Sequence, residues 1–150
     1  MALAAQTPAE RVEQLIILTE RLTGLVAAQA QAFELRRPQD AAALVEETST
    51  LANLYRRESA QIRAWPELIA GAPAAERRKL TRATEAFDAV LARQARALEA
   101  AKTVTEGLVR AIAEEVAAQR EKGAPEGYGP GGQRTPKSTT GSAITLNRRA

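Results

Sequence analysis

The stretch VEQLIILTERLTGLVAAQAQAF, residues 12–33, decides the fold of this chain. Its key positions alternate at spacings of three and four residues, which is the period of a heptad seam along one side of an α-helix. The seam consists of Val12, Leu15, Thr19, Leu22, Val26, Gln29 and Phe33. Further apolar residues at Ile16, Leu18 and Leu25 widen this face. We therefore expect the helix to pack against two neighbouring helices rather than one.

Both ends of this first helix carry sequence signals. At residues 7–10, TPAE, the Thr7 hydroxyl can accept from the amide three residues on, the proline loses no helical hydrogen bond, and Glu10 can bond back to the cap. The helix should stop at RRPQD, residues 36–40, because a proline disfavours helical geometry in the residue before it. We expect Asp40 to cap the segment that follows.

Two later segments repeat the same alternation. The second carries Leu44, Thr48, Leu51, Tyr55, Glu58, Ile62 and Trp65. The third carries Leu80, Thr84, Phe87, Leu91, Gln94, Leu98, Ala101, Thr105, Leu108 and Ile112, with no proline over residues 74–121. The short connection between the first two segments predicts an antiparallel hairpin. The predicted fold is all-α, an antiparallel bundle of three long helices, with Trp65 closing one end.

The third helix is too long for its partners. At 1.5 Å per residue it reaches about 72 Å, against about 42 and 36 Å for the first two, so it should overshoot the hairpin turn. The overshooting part is still apolar on one side, at Val104, Leu108, Ile112 and Val116. These residues form either an exposed stripe for another protein's helix or the core of a fourth helix, made when residues 108–121 fold back at a break near Gly107.

Charge divides the chain into two parts. Residues 1–122 contain 17 basic and 17 acidic side chains, whereas residues 123–150 account for the whole net charge of +3. The second part is rich in Gly, Pro, Ser and Thr, a composition typical of disorder. We predict a helical bundle domain at 1–122 and a flexible basic tail at 123–150. Because the bundle interleaves both signs instead of showing a basic stripe, we do not predict nucleic-acid binding.

Composition also argues against catalysis. The chain has no cysteine and no histidine, which removes thiolate metal sites and the commonest general base. Its two aspartates, Asp40 and Asp88, lie on different segments, and no glycine-rich phosphate loop follows a strand. We predict no enzyme activity, no metal and no cofactor. The N-terminus lacks signal-peptide features, and no window reaches the roughly 20 apolar residues of a membrane span, so we predict a cytoplasmic protein without membrane insertion.

The hairpin over residues 18–62, the long final helix, and a tail with YGPGG at 128–132 and AITLNRRA at 143–150 resemble the flagellar export chaperones of the FlgN family, in their alphaproteobacterial form. The resemblance implies a cytosolic chaperone that keeps hook-associated proteins of the hook–filament junction unpolymerised and delivers them to the export gate. It also implies a C-terminal region with substrate contacts and a gate-docking tyrosine, for which Tyr128 is the match.

Under this interpretation the substrate-binding residues are Val104, Leu108, Ile112 and Val116. Tyr128 and AITLN would then be short binding elements in an otherwise unfoldable tail, whereas a purely solubilising tail leaves both without a role. A second interpretation is a structural coiled-coil protein that forms a homodimer through its long third helix. The first predicts a stoichiometric complex with another protein, and the second predicts a stable dimer of the chain alone.

Overall fold

A computed structural model describes residues 3–123 of the chain. The helices in this range are α1 (Pro8–Glu34), α2 (Pro38–Ala42), α3 (Val45–Ala64), α4 (Glu67–Ala70) and α5 (Ala74–Lys122). No strand occurs between residues 3 and 123, so the all-α prediction is confirmed there. The predicted count of three helices is wrong, because two short helices, α2 and α4, occupy the connections. The predicted tail lies almost wholly outside the described residues.

The two short helices begin at prolines. Pro38 is the first residue of α2, and Pro66 is the N-cap of α4. A proline disfavours helix in the residue before it, but its fixed φ suits the first position of a new helix, where its missing amide costs no hydrogen bond. Each connection predicted as a plain turn therefore contains a further helical turn.

The start of α1 has the predicted N-cap at Thr7, but the return hydrogen bond of Glu10 goes to the residue before the cap. The Thr7 hydroxyl accepts from the Glu10 amide at 3.2 Å, as predicted. The Glu10 carboxylate accepts from the amide of Gln6 at 2.9 Å, one residue before the cap. The reciprocal bonding of a capping box is thus present, with its return bond displaced toward the N-terminus.

The end of α1 is a Schellman motif around Arg36, whose φ is 58°. The Arg36 amide donates to the Phe33 carbonyl at 3.0 Å, and the Arg37 amide donates to the Ala32 carbonyl at 2.8 Å. These two bonds satisfy carbonyls that the helix end would leave unpaired. The prediction that Asp40 caps the next helix is wrong, because Asp40 lies inside the first turn of α2 and pairs with Arg37 at 2.9 Å.

The core lies where α1, α3 and α5 meet. Leu18, Leu22, Val26 and Phe87 form a buried cluster, and the rings of Phe87 and Tyr55 meet edge to face at 5.2 Å. α1 and α3 are antiparallel, since the early residue Arg11 contacts the late residue Glu58 and the late residue Gln29 contacts the early residue Thr48. The helical hairpin predicted from the sequence is therefore present.

Trp65 does not close the end of the bundle. Its side chain is 56% exposed, so this prediction is wrong. The α4 region closes that end instead: Ala72 is buried, and Ile69 lines a shallow groove together with Leu15 and Leu80. Because α4 continues helically after Pro66, it brings its own aliphatic side chains to a place that the sequence pattern assigned to the tryptophan.

The contacts of the chain separate into two units, Met1–Val104 and Thr105–Ala150. The division falls within α5, which remains one continuous helix through Gly107. Residues 108–121 therefore do not form a separate fourth helix. In the second unit, Ala118 is half-buried, while the other described residues, from Thr105 to Gly123, are exposed.

Candidate functional site

The four aliphatic residues predicted to bind another protein are all exposed. Val104 ends the first unit, while Leu108, Ile112 and Val116 belong to the second. Their side chains are between 45% and 60% exposed. Residues four apart lie on one face of a helix, so the last three form a continuous apolar row. A row of this kind is unusual at the surface of a monomeric protein and typically marks an interaction site.

Sequence reasoning missed Val109, which is 60% exposed beside Leu108. Its apolar side chain was visible in the sequence, but it lies outside the four-residue spacing that joins Val104, Leu108, Ile112 and Val116. A widened face, as noted for α1, would have included it. We refer to Leu108, Val109, Ile112 and Val116 as the distal stripe.

Glu115 borders the distal stripe. It lies seven residues, or about two helical turns, after Leu108, and its Oε1 accepts from Nε2 of Gln119 at 3.0 Å. Arg110 and Glu114 each lie two residues from Ile112, which is about 200° around the helix, so their side chains face away from it. An exposed apolar row of this kind suits another amphipathic helix or an extended apolar segment.

The seam of the first unit contains polar residues that contact one another. Nε2 of Gln29 donates to Oγ1 of Thr48 at 3.1 Å, and Nε2 of Gln94 donates to Oε1 of Gln29. The sequence placed these three residues at seam positions but did not show that they meet. Together they connect α1, α3 and α5 in one polar layer, which fixes the register of the helices. Their role is structural.

The first unit also has an apolar groove between α1 and α3. It is lined by Leu3, Leu18, Leu51 and Leu54, together with Ile17, which is 61% exposed. The N-terminal segment is attached beside it, because the Leu3 amide donates to Glu58 at 3.2 Å. Leu3 thus covers part of the groove from within the chain.

An ion pair joins the end of α1 to α5. The Arg93 guanidinium donates to both carboxylate oxygens of Glu34, at 2.8 and 2.7 Å. These hydrogen bonds, more than the charge attraction, lower the pKa of the Glu34 carboxyl below its ordinary value and raise the pKa of Arg93. Both side chains are exposed, so the pair contributes to orientation more than to stability.

Other site types find no support in the described part of the chain. Between residues 3 and 123, no three Asp or Glu side chains cluster as a metal site would require. None of the helices in that range combines the length and the apolar content needed to cross a bilayer. Tyr128, the predicted docking residue, lies outside the described residues.

Comparison with known proteins identifies a relative of equal length. The chain is 61% identical over all 150 residues to a protein of Caulobacter vibrioides named flagellar basal-body protein FlbY, and the match covers 100% of both chains. No family model matches the chain, and no solved structure matches it. The predicted flagellar association is supported by this relative. The assignment to the FlgN chaperone family stays a prediction.

Proposed function

The chain belongs to the family of the flagellar basal-body protein FlbY, and we propose that it is a cytosolic chaperone of flagellar type III export. It binds hook-associated proteins through the distal stripe, together with Val104, and delivers them to the export gate, where Tyr128 docks. The observation that carries this proposal is the exposure of the stripe. Four large aliphatic side chains are exposed on α5, and Ala118 is the only described residue beyond Val104 that is half-buried.

Exposed apolar side chains are unfavourable in water unless a partner covers them. Each fully buried Leu, Ile or Val side chain contributes roughly 1.5–3 kcal/mol to association or folding. In this chain the stripe residues contribute little to folding, because they remain exposed in the folded protein. Such a surface is retained at the expense of solubility, which indicates a partner that covers it. Apolar helical ends of subunits that must not polymerise are partners of suitable chemistry.

The test is a pull-down from cells with the tagged full-length chain and identification of the bound protein. The informative variant is Leu108→Glu with Ile112→Glu, which should weaken capture at least about a hundredfold, since two apolar anchors are lost and two charges are introduced. The folded state should persist, with an unchanged circular dichroism spectrum and melting temperature. If the double variant unfolds, the stripe is core and the proposal loses its site.

A matched control exists on the same helix. Thr103 lies nine residues before Ile112, and Ala117 lies nine residues after Leu108. Nine residues are about two and a half helical turns, so both control positions lie on the opposite side of the helix from Leu108 and Ile112. Thr103→Glu with Ala117→Glu adds the same charge and should capture the partner as the unmodified chain does. Equal loss in both variants would show a general effect of charge and contradict the proposal.

The alternative is a structural protein that self-associates through α5. The relative is named a basal-body protein, which favours a structural role, and the same stripe would supply the contact. Sedimentation of the purified chain separates the two functions. A stable dimer that dissociates in the Leu108→Glu, Ile112→Glu variant supports self-association, whereas a monomer that captures a flagellar subunit in cells supports the chaperone.

A further inference from the structure

One end of the first unit carries an exposed aromatic residue within a cluster of cations. Trp65, the C-cap of α3, is 56% exposed, and the segment around it, residues 63–82, has five basic and two acidic side chains. We propose that this end of the bundle binds an anionic membrane surface, with Trp65 at the depth of the lipid headgroups. The proposal does not depend on the proposed function, because the distal stripe lies in the second unit.

Most cations of this segment are available to a partner. Lys79 pairs with Glu76 at 2.9 Å, whereas the guanidinium groups of the four arginines form no ion pair with any residue between 3 and 123. These exposed arginines are Arg63, Arg77, Arg78 and Arg82. The start of α1, residues 3–23, packs beside this segment and carries one net negative charge, so this end of the unit stays positive.

The cations surround the start of α5 instead of lying in one row. Arg63 shares a shallow groove with Leu80, and Arg77 lies on the same face of α5, three residues before Leu80. Lys79 and Arg82 line a different groove, next to α1. A fluid layer of headgroups can meet cations that point in several directions, whereas an acidic protein or a nucleic-acid backbone needs them along one track.

The cluster does not stabilise the helix that carries it. Positive side chains near a helix N-terminus oppose the helix dipole, and Arg77 lies in the first turn of α5. Arg78 and Arg82 are four residues apart, a spacing at which like charges repel across one helical turn. A negatively charged partner therefore explains these cations better than helix stability does.

Trp65 supplies an apolar anchor beside the cations. Within residues 3–123 its side chain is the one exposed aromatic, since Phe33 and Tyr55 are half-buried and Phe87 is buried. Tryptophan is enriched where membranes meet water, because its ring is apolar and its N–H can bond to polar headgroups. Single-stranded nucleic acid usually stacks on several aromatic side chains along a basic groove. One exposed tryptophan among cations fits a bilayer surface better.

The fluorescence of Trp65 tests the contact in the full-length chain, which has no other tryptophan. Mixed vesicles of phosphatidylglycerol and phosphatidylcholine should shift its emission to shorter wavelengths, and brominated lipids in them should quench it. Vesicles of phosphatidylcholine alone should do neither. Since each basic residue near an anionic surface strengthens binding about fivefold, Arg78→Glu with Arg82→Glu should weaken vesicle binding at least about 25-fold, with an unchanged circular dichroism spectrum.

The matched control is Arg134→Glu with Arg149→Glu, which makes the same change of charge outside the bundle and should keep most of the binding. Equal loss in both variants would show a general effect of charge and overturn the proposal. So would vesicle binding that leaves the Trp65 emission unchanged. Absence of binding to the anionic vesicles would also overturn it; a shift with a single-stranded oligonucleotide would then assign the patch to nucleic acid, and capture of an acidic protein by the same arginines would assign it to a protein.

Discussion

The carboxylate of Glu58 in α3 is completely buried and accepts from Nη1 of Arg11 in α1 at 2.7 Å, while the Arg11 side chain is 16% exposed. The Leu3 amide donates to the other oxygen of the same carboxylate. One buried charge therefore joins α1, α3 and the N-terminal segment. The two partners are unequal, because Arg11 can turn toward water and Glu58 cannot.

This inequality predicts unequal effects of substitution. Arg11→Met should lower the free energy of unfolding by about 3 kcal/mol, because it leaves a buried carboxylate without its counter-charge. Glu58→Leu should have a much smaller effect, since the freed guanidinium can reach solvent and leucine suits a seam position. The double variant should be near neutral or more stable than the unmodified chain. Urea unfolding of the three variants measures this, and equal effects of the two single changes would contradict the argument.

Arg36 offers a stabilising change. Its φ of 58° lies in the left-handed region, where a side chain is strained and glycine is not. Arg36→Gly should raise the free energy of unfolding by about 0.5–1 kcal/mol, the gain typical of a glycine at this position of a helix end. Leu35→Gly is the matched control, because the neighbouring residue has a φ of −84° and glycine there should be destabilising. Both changes are measured by denaturant unfolding; stabilisation by both would show that backbone strain at Arg36 is not the cause.

The Glu34–Arg93 pair predicts a pH dependence. The pKa of the Glu34 carboxyl is lowered from its ordinary value of 4.5 by hydrogen bonds from Arg93. The stability from this pair is therefore present above pH 4.5 and is lost as the pH falls through the lowered value in the folded state. The difference between the unmodified chain and Glu34→Gln should be small, constant near neutral pH, and should shrink in acid. Arg93→Gln should abolish this pH dependence, and a difference that grows in acid would have the wrong sign.

The seam pattern predicted the long helices because packing of apolar residues at a period of 3.5 dominates their stability. It also placed Glu58 and Gln29 at positions that prove to be buried. Their partners could not be predicted, since the contact between Arg11 and Glu58 depends on the relative register of two helices, which the alternation alone leaves open.

The connections were less predictable than the helices. Proline gave a correct signal for the ends of α1 and α3, but not for the short helix that follows each of them. Trp65 was assigned to the core by its size and seam position, whereas α4 supplies the apolar contacts there. At the candidate site the sequence identified Leu108, Ile112 and Val116. The third helix is longer than the first two, and the apolar spacing continues into the part for which the chain has no second helix of matching length. Val109 fell outside that pattern.

Tyr128 provides the test that separates delivery from binding. It is a single aromatic residue six positions beyond Lys122, outside the helical seams. Tyr128→Ala should leave the melting temperature and partner capture unchanged. Loss of an aromatic anchor from a small interface costs about 2 kcal/mol or more, which is enough to abolish a weak, transient contact with the export gate. Cells that carry this variant should retain the captured subunit, export it poorly and swim less.

Tyr128→Phe is the control, because it keeps the ring and should retain most of the export. Normal export and motility in the alanine variant would exclude Tyr128 as the docking residue, while the stripe and its partner would be unaffected by that result.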